Sequence, residues 1–523
     1  MSSVEIYDST LRDGAQAEGI TYSLQDKLEI AQRLDDLGVH FIEGGWPNPT
    51  NPKDLAFFEQ VRALNLRARV TAFGSTRRPA NAAGEDATLN TLLKAGTDSV
   101  TLFGKSWDLH VTEVLKTTRE ENLRLIEDSV AYLVARGREV TFDAEHFFDG
   151  CAADAGYALE TLRAAERGGA RVLVLCDTNG GTLPGEVARM FRAAAGAVGA
   201  PLGIHTHNDA GLAVANTIAA VDLGAAQVQG TFNGYGERCG NVNLCTVIPV
   251  LELKMGRASI GREKLAQLMD FSRFLSETAN VAHDHRQPFV GESAYAHKGG
   301  VHIDAMNKDP RCYEQEDPEA TGNSRRYLVS DQSGGSTVVA KLGRFFPELS
   351  KKDPAVAEVL TEVKRLEHQG YQFEAAEGSF ELLARRCMGL YRDRFRPLSF
   401  HVSSRKEAEG EPEVAEAVVK VEVNGRVHHT VGEGDGPVNA MDRALRKAVE
   451  AVFPDLKAVH LEDYKVRVMS SSDGTAARVR VLIESSDGHD VWGTVGVSEN
   501  IIEASWIALA DSLHCKLMRE EGR

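Results

Sequence analysis

The chain has 523 residues, 59 basic and 76 acidic side chains, and a formal net charge of −17. Its length predicts two to four domains, and its acidic balance disfavours nucleic acid as a partner. Seven scattered cysteines predict reduced thiols in a cytoplasmic protein. The sequence has no recognisable signal peptide and no apolar run of membrane-spanning length, so we expect no membrane partner.

The first predicted strand, Val4 to Tyr7, runs directly into the segment Asp8 to Gln16, with the sequence DSTLRDGAQ. The charged pair Arg12 and Asp13 follows the strand at once. A surface ion pair is one interpretation of this pair. A position at the end of a strand favours a functional site.

Short apolar runs alternate with amphipathic segments as far as about residue 275. The first predicted helix has Ser23 as its N-cap and Gly38 after its last turn. Eight βα units predict a closed (β/α)₈ TIM barrel over residues 1–275, with its active site where the strands end. The predicted strands are Val4 to Tyr7, Val39 to Glu43, Arg69 to Phe73, Ser99 to Phe103, Glu139 to Asp143, Arg171 to Cys176, Leu202 to Thr206 and Ala226 to Phe232.

The seventh predicted strand ends in the sequence HTHND, from His205 to Asp209. Side chains alternate along a strand, so His205 and His207 project the same way and can hold one ion. Two satisfied core histidines are the alternative. Their shared face at a strand end favours metal ligands.

From residue 276 to 392 glycines and prolines interrupt the alternation, which predicts helical linker subdomains. Pro288 to His302 is predicted to be a functional loop, and Ser333 to Ser336 a further break. After it, a helical periodicity ends at Gly370; its apolar positions are Val356, Val359, Val363 and Leu366.

The last predicted domain, residues 393–523, contains an internal repeat. Thr430-Val431-Gly432 recurs as Thr494-Val495-Gly496, an offset of 64 (494 − 430). Before each copy lies a hairpin, turning at Asn424-Gly425 and at Ser485 to Gly488. This predicts an α+β domain with one ββα unit used twice. At the same offset the matching residues are Ala440 and Ala504, Ala444 and Ala508, and Leu445 and Leu509.

Three motifs occur in order: Asp8 to Gln16, His205 to Asp209, and Thr231 to Asn241, with the sequence TFNGYGERCGN. Together they resemble the signature of the metal-dependent TIM-barrel enzymes that condense or cleave acyl-CoA. This group includes the 2-isopropylmalate, homocitrate and citramalate synthases. The stretches Phe41 to Pro47 and Phe142 to Gly150 are most similar to the bacterial citramalate synthases, which join pyruvate to acetyl-CoA on the path to isoleucine.

The resemblance implies an acyltransferase of the citramalate synthase type, with 2-isopropylmalate or homocitrate synthesis as the alternative. A metal-dependent acyl-CoA lyase is less favoured, because it would not need the C-terminal repeat. A metal-dependent hydrolase also carries an HxH pair, but after the first strand of its barrel rather than the seventh. A non-catalytic amino-acid sensor does not fit an intact Arg12, Asp13 and HTHND segment.

The expected site has four parts. A divalent ion (Mn, Mg or Zn) would be held by Asp13, His205, His207 and Asn241. The resemblance implies catalytic roles for Arg12, Glu145, His302, Asp304 and Tyr313; Arg12 would stabilise an alkoxide, and either Glu145 or His302 would act as the base. Substrate would contact Arg12, Gln16, Phe73, Phe103, Asp143 and Thr178, with Leu102 also in the pocket wall. The acyl-CoA cofactor would lie against Gly234, Gly236, Glu237 and Gly240.

The same resemblance implies a C-terminal regulatory domain, a homodimer and isoleucine as inhibitor. The Thr-Val-Gly segments are expected to be turns that lead into helices at Val438 and Ile502. Backbone N–H groups of Gly432 to Gly436 and Gly496 to Asn500 would then receive the carboxylate of isoleucine. A domain used only for dimerisation is the alternative.

Overall fold

The structure is a computed structural model that describes residues 3–48, 52–331, 333–343, 345–406, 414–469 and 477–520. It divides into two compact units. The first comprises Met1–Tyr295 and Glu316–Ser324, and the second comprises Ala296–Gln315 and Arg325–Arg523. The domain boundaries at residues 275 and 392 remain a prediction.

The first unit contains a closed barrel of eight parallel strands in sequential order, which confirms the predicted fold. The eighth strand pairs with both the first and the seventh. It ends at Gly230, earlier than predicted, because Phe232–Gly234 forms a 3₁₀ turn with Asn233 at a φ of 60°. The strands are β1 Glu5–Asp8, β2 Phe41–Gly45, β3 Arg69–Ser75, β4 Ser99–Lys105, β5 Glu139–Glu145, β6 Val172–Asp177, β7 Leu202–Thr206 and β8 Gln227–Gly230.

Helices separate consecutive strands of the barrel. Ser23 caps the first helix as predicted: its hydroxyl accepts the N–H of Asp26 (3.1 Å), and Gly38 ends the helix at a φ of 93°. No helix in the described ranges is long and apolar enough to cross a membrane. The helices of this unit are α1 Leu24–Leu37, α2 Pro52–Gln60, α3 Ala87–Ala95, α4 Arg119–Val134, α5 Phe147–Gly168, α6 Pro184–Ala195, α7 Ala213–Asp222, α8 Leu244–Pro249, α9 Arg262–Leu265 and α10 Leu268–Thr278.

The main apolar core of this unit includes buried side chains of the strands and of the surrounding helices, such as Ile42, Leu102 and Ile126. Alternation along β4 places Leu102 in this core and Phe103 at the cavity described below. The prediction that Leu102 lines the substrate pocket is therefore wrong.

The second unit begins with two short strands and four helices. The predicted loop from Pro288 to His302 spans both units and is wrong in part, because Phe289 and Val290 are buried in the core of the first unit and a helix begins at Gly300 in the second. The break near Ser333 is followed at once by a helix, and Gly370 has the positive φ (104°) expected after the next one. These elements are β9 Ala296–His297, α11 Gly300–Met306, β10 Arg326–Tyr327, α12 Gly335–Leu342, α13 Pro354–His368 and α14 Glu377–Cys387.

The rest of this unit contains the predicted repeat, with one more strand per copy than predicted. Each copy is a three-stranded antiparallel sheet followed by a helix, because an additional strand pairs with the hairpin. The first copy consists of β11 Phe395–Arg405, β12 Val414–Val423, β13 Arg426–Gly434 and α15 Pro437–Val449; the second of β14 His460–Val468, β15 Val479–Ser486, β16 Val491–Ser498 and α16 Ile501–Glu520.

The Thr-Val-Gly segments lie within β13 and β16, so their prediction as turns is wrong. In both copies the glycine meets the helix backbone. A Cβ on Gly432 would lie 2.5 Å from the carbonyl oxygen of Ala440, and a Cβ on Gly496 would lie 1.9 Å from that of Ala504. The repeated sequence therefore encodes close packing of a strand against a helix.

Candidate active site

The loop after β1 is organised around buried Asp8. Its carboxylate accepts hydrogen bonds from the backbone N–H of Thr10 (3.1 Å) and from the Thr10 hydroxyl (2.7 Å). The carbonyl oxygen of Ser9 accepts the N–H groups of Arg12 and Asp13. Burial raises the pKa of Asp8 to about 7. The turn therefore places Arg12 and Asp13 side by side after the carboxyl end of β1.

Asp13, His205 and His207 form a buried cluster whose ligand atoms all lie within 4.8 Å of one another. Nε2 of His205 is 3.4 Å from Oδ2 of Asp13. Burial opposes the charge on Asp13, but Arg12 and His205 outweigh it and hold the pKa of Asp13 well below its usual range. Burial lowers the pKa of His207 to about 4, so its neutral ring keeps a lone pair for an ion.

Asn241 adds a polar side chain beside this cluster. Its backbone bridges to His207, and its side-chain N–H₂ donates to the carbonyl of Tyr235 (3.2 Å). Oδ1 of Asn241 and Nδ1 of His207 are buried without a hydrogen-bond partner among the described residues. Because such atoms are costly to bury alone, they support a site that takes a divalent ion.

A side-chain amide orients His205. Nδ1 of His205 lies 2.9 Å from Oε1 of Gln229, whose N–H₂ donates to Oδ1 of Asp143 (2.9 Å). The amide oxygen accepts the Nδ1 proton, which directs the Nε2 lone pair of His205 toward Asp13. Burial raises the pKa of Asp143 to about 7. Gln229 was not identified from the sequence.

Arg12 is held from two sides. Its Nε donates to Oε1 of buried Glu43 (2.5 Å), and its Nη1 lies 3.3 Å from Asp13. The guanidinium carbon lies 3.8 Å from the centre of the Phe73 ring. Glu43 also accepts the hydroxyl of Tyr7 (2.5 Å). The contacts with Glu43, Asp13 and Phe73 hold the guanidinium group of Arg12 beside the Asp13, His205 and His207 cluster. Its charge is shared between two carboxylates rather than paired with one.

A cavity of about 210 Å³ opens onto the Asp13, His205 and His207 cluster. Trp46, Cys176 and Arg238 line it and were not predicted. Trp46 directly follows the end of β2, so its strand-end position was a usable signal. The predicted residues that the cavity brings together are Arg12, Asp13, Gln16, Phe73, Phe103, Asp143, Glu145, Thr178, His205, His207 and Glu237.

Aromatic rings form one wall of the cavity. The rings of Phe73 and Phe103 are stacked at 5.2 Å between centroids. Trp46 meets both edge-on, at 5.8 and 5.4 Å. This wall is rigid and bulky, so it favours a small substrate group beside Arg12.

Another wall comes from β5 and the loop after β6. Asp143 and Glu145 project from the same side of β5, as strand alternation predicts. Glu145 forms an ion pair with Lys105 of β4. The hydroxyl of Thr178 accepts the backbone N–H of His146 (2.9 Å).

The glycines of the third motif shape the loop after β8. A Cβ on Gly236 would lie 2.2 Å from Nδ2 of Asn241, and a Cβ on Gly240 would lie 1.9 Å from the carbonyl oxygen of Gly234. All three glycines have a positive φ. They allow the loop to fold onto itself and carry Asn241 to His207. Their predicted contact with acyl-CoA remains a prediction.

His302, Asp304 and Tyr313 belong to the second unit. His302 lies on α11, and its ring stacks on that of Tyr313 at 4.2 Å between centroids. Asp304 accepts hydrogen bonds from Lys308 (2.8 Å), Ser336 (3.0 Å) and Lys351. Their catalytic roles remain predictions.

Family comparisons cover most of the chain. The HMGL-like family model matches residues 3–275, a homocitrate synthase post-HMGL domain-like model matches residues 289–371, and the LeuA allosteric (dimerisation) domain model matches residues 374–517.

Full-length relatives are also known. An (R)-citramalate synthase of Geobacter sulfurreducens is 52% identical over 100% of this chain and 99% of its own length. One of Aquifex aeolicus is 52% identical over 99% of this chain and 98% of its own length. A probable 2-isopropylmalate synthase of Methanopyrus kandleri is 32% identical over 96% of both chains.

Proposed function

The chain belongs to the HMGL-like family and, within it, to the citramalate synthases, and from this premise we propose that it condenses pyruvate with acetyl-CoA. The products are citramalate and CoA, so the enzyme is an acyltransferase that converts the acyl group into an alkyl group. The main support is sequence identity: the chain is 52% identical along its whole length to proteins named (R)-citramalate synthase, but 32% identical to a probable 2-isopropylmalate synthase.

The residues fit this chemistry in defined roles. Asp13, His205 and His207, with Asn241 beside them, would hold the divalent ion. When bound, the ion supplies a Lewis acid that polarises the keto group of the 2-oxo acid. Mn, Mg and Zn all remain candidates, because the donors are a carboxylate, two imidazoles and an amide oxygen.

Glu145 is our candidate for the base that takes a proton from the acetyl methyl group. It lines the same cavity as the metal cluster. The C–H electron pair then forms the new C–C bond to the keto carbon, and Arg12 stabilises the negative oxygen that results. Water finally hydrolyses the thioester and releases the CoA thiol. His302 is the alternative base.

Pyruvate suits the aromatic wall better than larger 2-oxo acids do. Its methyl group is the smallest substituent that a 2-oxo acid of this series presents, and Trp46, Phe73 and Phe103 leave a cavity of about 210 Å³. A larger substituent directed at this wall would meet packed aromatic rings, and a methylene that has to displace them costs about 1–3 kcal/mol.

The experiment that tests this proposal follows free thiol release from acetyl-CoA with pyruvate, 2-oxobutanoate, 2-oxoisovalerate and 2-oxoglutarate. We expect the highest kcat/KM with pyruvate. A preference for 2-oxoisovalerate or 2-oxoglutarate would reassign the substrate but keep the condensation. Thiol release without any 2-oxo acid dependence would contradict the reaction itself.

For the second unit we propose a regulatory role on the path to isoleucine. The match to the LeuA allosteric (dimerisation) domain supports a homodimer inhibited by a small amino acid. The start of α16 is the proposed place for the isoleucine carboxylate. There the side chain of Asn500 accepts the N–H of Ile502 (2.8 Å) at the positive end of a long helix.

A further inference from the structure

Lys105 and Glu145 are the last residues of neighbouring parallel strands. They lie directly opposite each other in the register of β4 and β5. The ammonium group of Lys105 contacts Oε2 of Glu145. Only 14% of the Lys105 side chain and 24% of the Glu145 side chain are exposed, so the pair is much less screened than a surface ion pair.

The position of Lys105 is fixed by its surroundings. Its backbone carbonyl accepts the side-chain N–H₂ of Asn122 (2.8 Å), which fastens the end of β4. Its ammonium nitrogen lies 5.3 Å from the centre of the Phe103 ring. Phe103 is part of the aromatic wall of the cavity. The lysine is therefore held between this wall and Glu145.

The two cations that line the cavity, Arg12 and Arg238, have partners other than Glu145. Arg12 binds Glu43 and Asp13, and Arg238 binds Asp209 (2.8 and 2.9 Å). Within the described ranges, Lys105 is the cation in ion-pair contact with Glu145. Lys105 is thus placed to act on the reaction through Glu145.

We propose that Lys105 is a positioning residue for the condensation: its ion pair with Glu145 aims the carboxylate at the acetyl methyl group. The inference rests on the base role that the proposed function gives Glu145. Lys105 occupies one carboxylate oxygen, and the other takes the methyl proton as the C–H electron pair passes into the new C–C bond. The proton leaves Glu145 for water after each turnover.

The test compares Lys105→Met with Lys105→Arg, using whichever 2-oxo acid releases CoA fastest from the wild type. Lys105→Met keeps an unbranched side chain but removes the charge. We expect its kcat to fall more than about tenfold, because the base loses its alignment. KM for the 2-oxo acid should change less than about twofold, because the proposed binding groups of the keto acid are the metal cluster and Arg12. Lys105→Arg should recover most of kcat, because it restores the ion pair.

Arg69→Met is the matched control. Arg69 pairs with Glu139 (2.6 Å) at the opposite end of β5, so this variant also removes a cation next to that strand. Its kcat should equal that of the wild type. If Lys105→Met does not fold, as judged by circular dichroism, Lys105→Gln replaces it.

A double-mutant cycle with Glu145→Gln decides whether Lys105 acts through the carboxylate. We expect the double variant to be no slower than Glu145→Gln alone. Losses that multiply, or a Lys105→Met enzyme with wild-type kcat, would overturn the proposal. Full turnover in Glu145→Gln would overturn both the role of Lys105 and the assignment of Glu145 as the base. Failure of the proposed reaction would be distinguishable, because the wild-type enzyme would then form no citramalate.

Discussion

His205 is oriented by an amide, and the amide is in turn held by a carboxylate. Asp143 holds the amide of Gln229, the amide oxygen fixes Nδ1 of His205, and Nε2 on the other side of the ring faces Asp13. A ligand that is already oriented pays little ordering entropy when an ion binds.

Loss of either histidine should weaken ion binding. We expect His205→Ala and His207→Ala to lower the affinity for Mn²⁺ by more than about tenfold in titration calorimetry, because each removes a direct donor. The barrel should stay folded by circular dichroism, since both residues lie at the end of β7. His429→Ala, on the exposed strand β13, should bind as the wild type does. Unchanged affinity in both cluster variants would exclude the site.

Substitution of Arg12 should affect turnover more than binding. Its proposed partner is the oxygen that becomes negative in the transition state, so we expect Arg12→Gln to lower kcat by about 10²–10³ with a smaller change in KM for pyruvate. Arg33→Gln, a change of the same type on the exposed face of α1, serves as the control. A normal kcat in Arg12→Gln would remove Arg12 from the mechanism.

The sequence motifs predicted the site residues that lie close together along the chain at the end of one strand. His205 and His207 were identifiable because they end an apolar run, and Asp13 because it lies in the charged loop that follows the first strand. Lys105 and Gln229 were missed because their partners lie on other strands. The register that joins Lys105 to Glu145 is set by the closed barrel, and no spacing in the sequence reports it.

At the level of elements, each copy of the repeat joins its sheet to its helix in the same way. The hydroxyl of Thr430 donates to the carbonyl of Ala444 (2.7 Å), and that of Thr494 donates to the carbonyl of Ala508 (2.8 Å). The glycine two residues later leaves room for the helix backbone. The repeated Thr-Val-Gly sequence was recognisable, but this sequence is compatible with a turn as well as with a strand. The third strand of each copy was missed because β11 and β14 are not part of the hairpin pattern.

Gly496→Ala should therefore destabilise the second unit. The new methyl group would lie 1.9 Å from the carbonyl oxygen of Ala504, so β16 and α16 have to separate. We expect the free energy of unfolding to fall by about 1–3 kcal/mol in urea titrations. Gly436→Ala is the control, because a Cβ there meets no atom within 4 Å. Equal stability of the two variants would contradict the packing role.

At the level of the whole molecule, the linker helices and the second repeat share a core. Val495 of β16 packs in the apolar cluster that contains Val338 of α12, Val363 of α13 and Phe380 of α14. Removing the repeat at about residue 395 would open this cluster. A test of regulation therefore has to keep the full chain.

We expect isoleucine to inhibit the full-length enzyme, and Asn500→Asp to weaken that inhibition at least about fivefold without changing the uninhibited kcat. The aspartate keeps the helix cap but places a negative charge where the carboxylate of isoleucine is proposed to bind. Initial rates at increasing isoleucine concentration measure the effect. Asn424→Asp adds the same charge at a hairpin turn and should respond like the wild type.

Light scattering should give about twice the chain mass of 56.9 kDa for both variants and the wild type. Identical inhibition of all three proteins would place the inhibitor elsewhere. Absence of inhibition by isoleucine in the wild type would exclude it as the effector.

The pairing of β8 with both β1 and β7 has a consequence for the protein during its own synthesis. Asp13 leaves the ribosome long before His205 and His207, and β8, which lies between β1 and β7, is the last strand of the barrel to emerge. These three donors are therefore synthesised before β8, and they come together only when β8 joins β1 to β7 and closes the sheet. Capture of the ion is expected to mark the end of barrel assembly, so a stalled or truncated chain lacking β8 would not sequester metal from the cell.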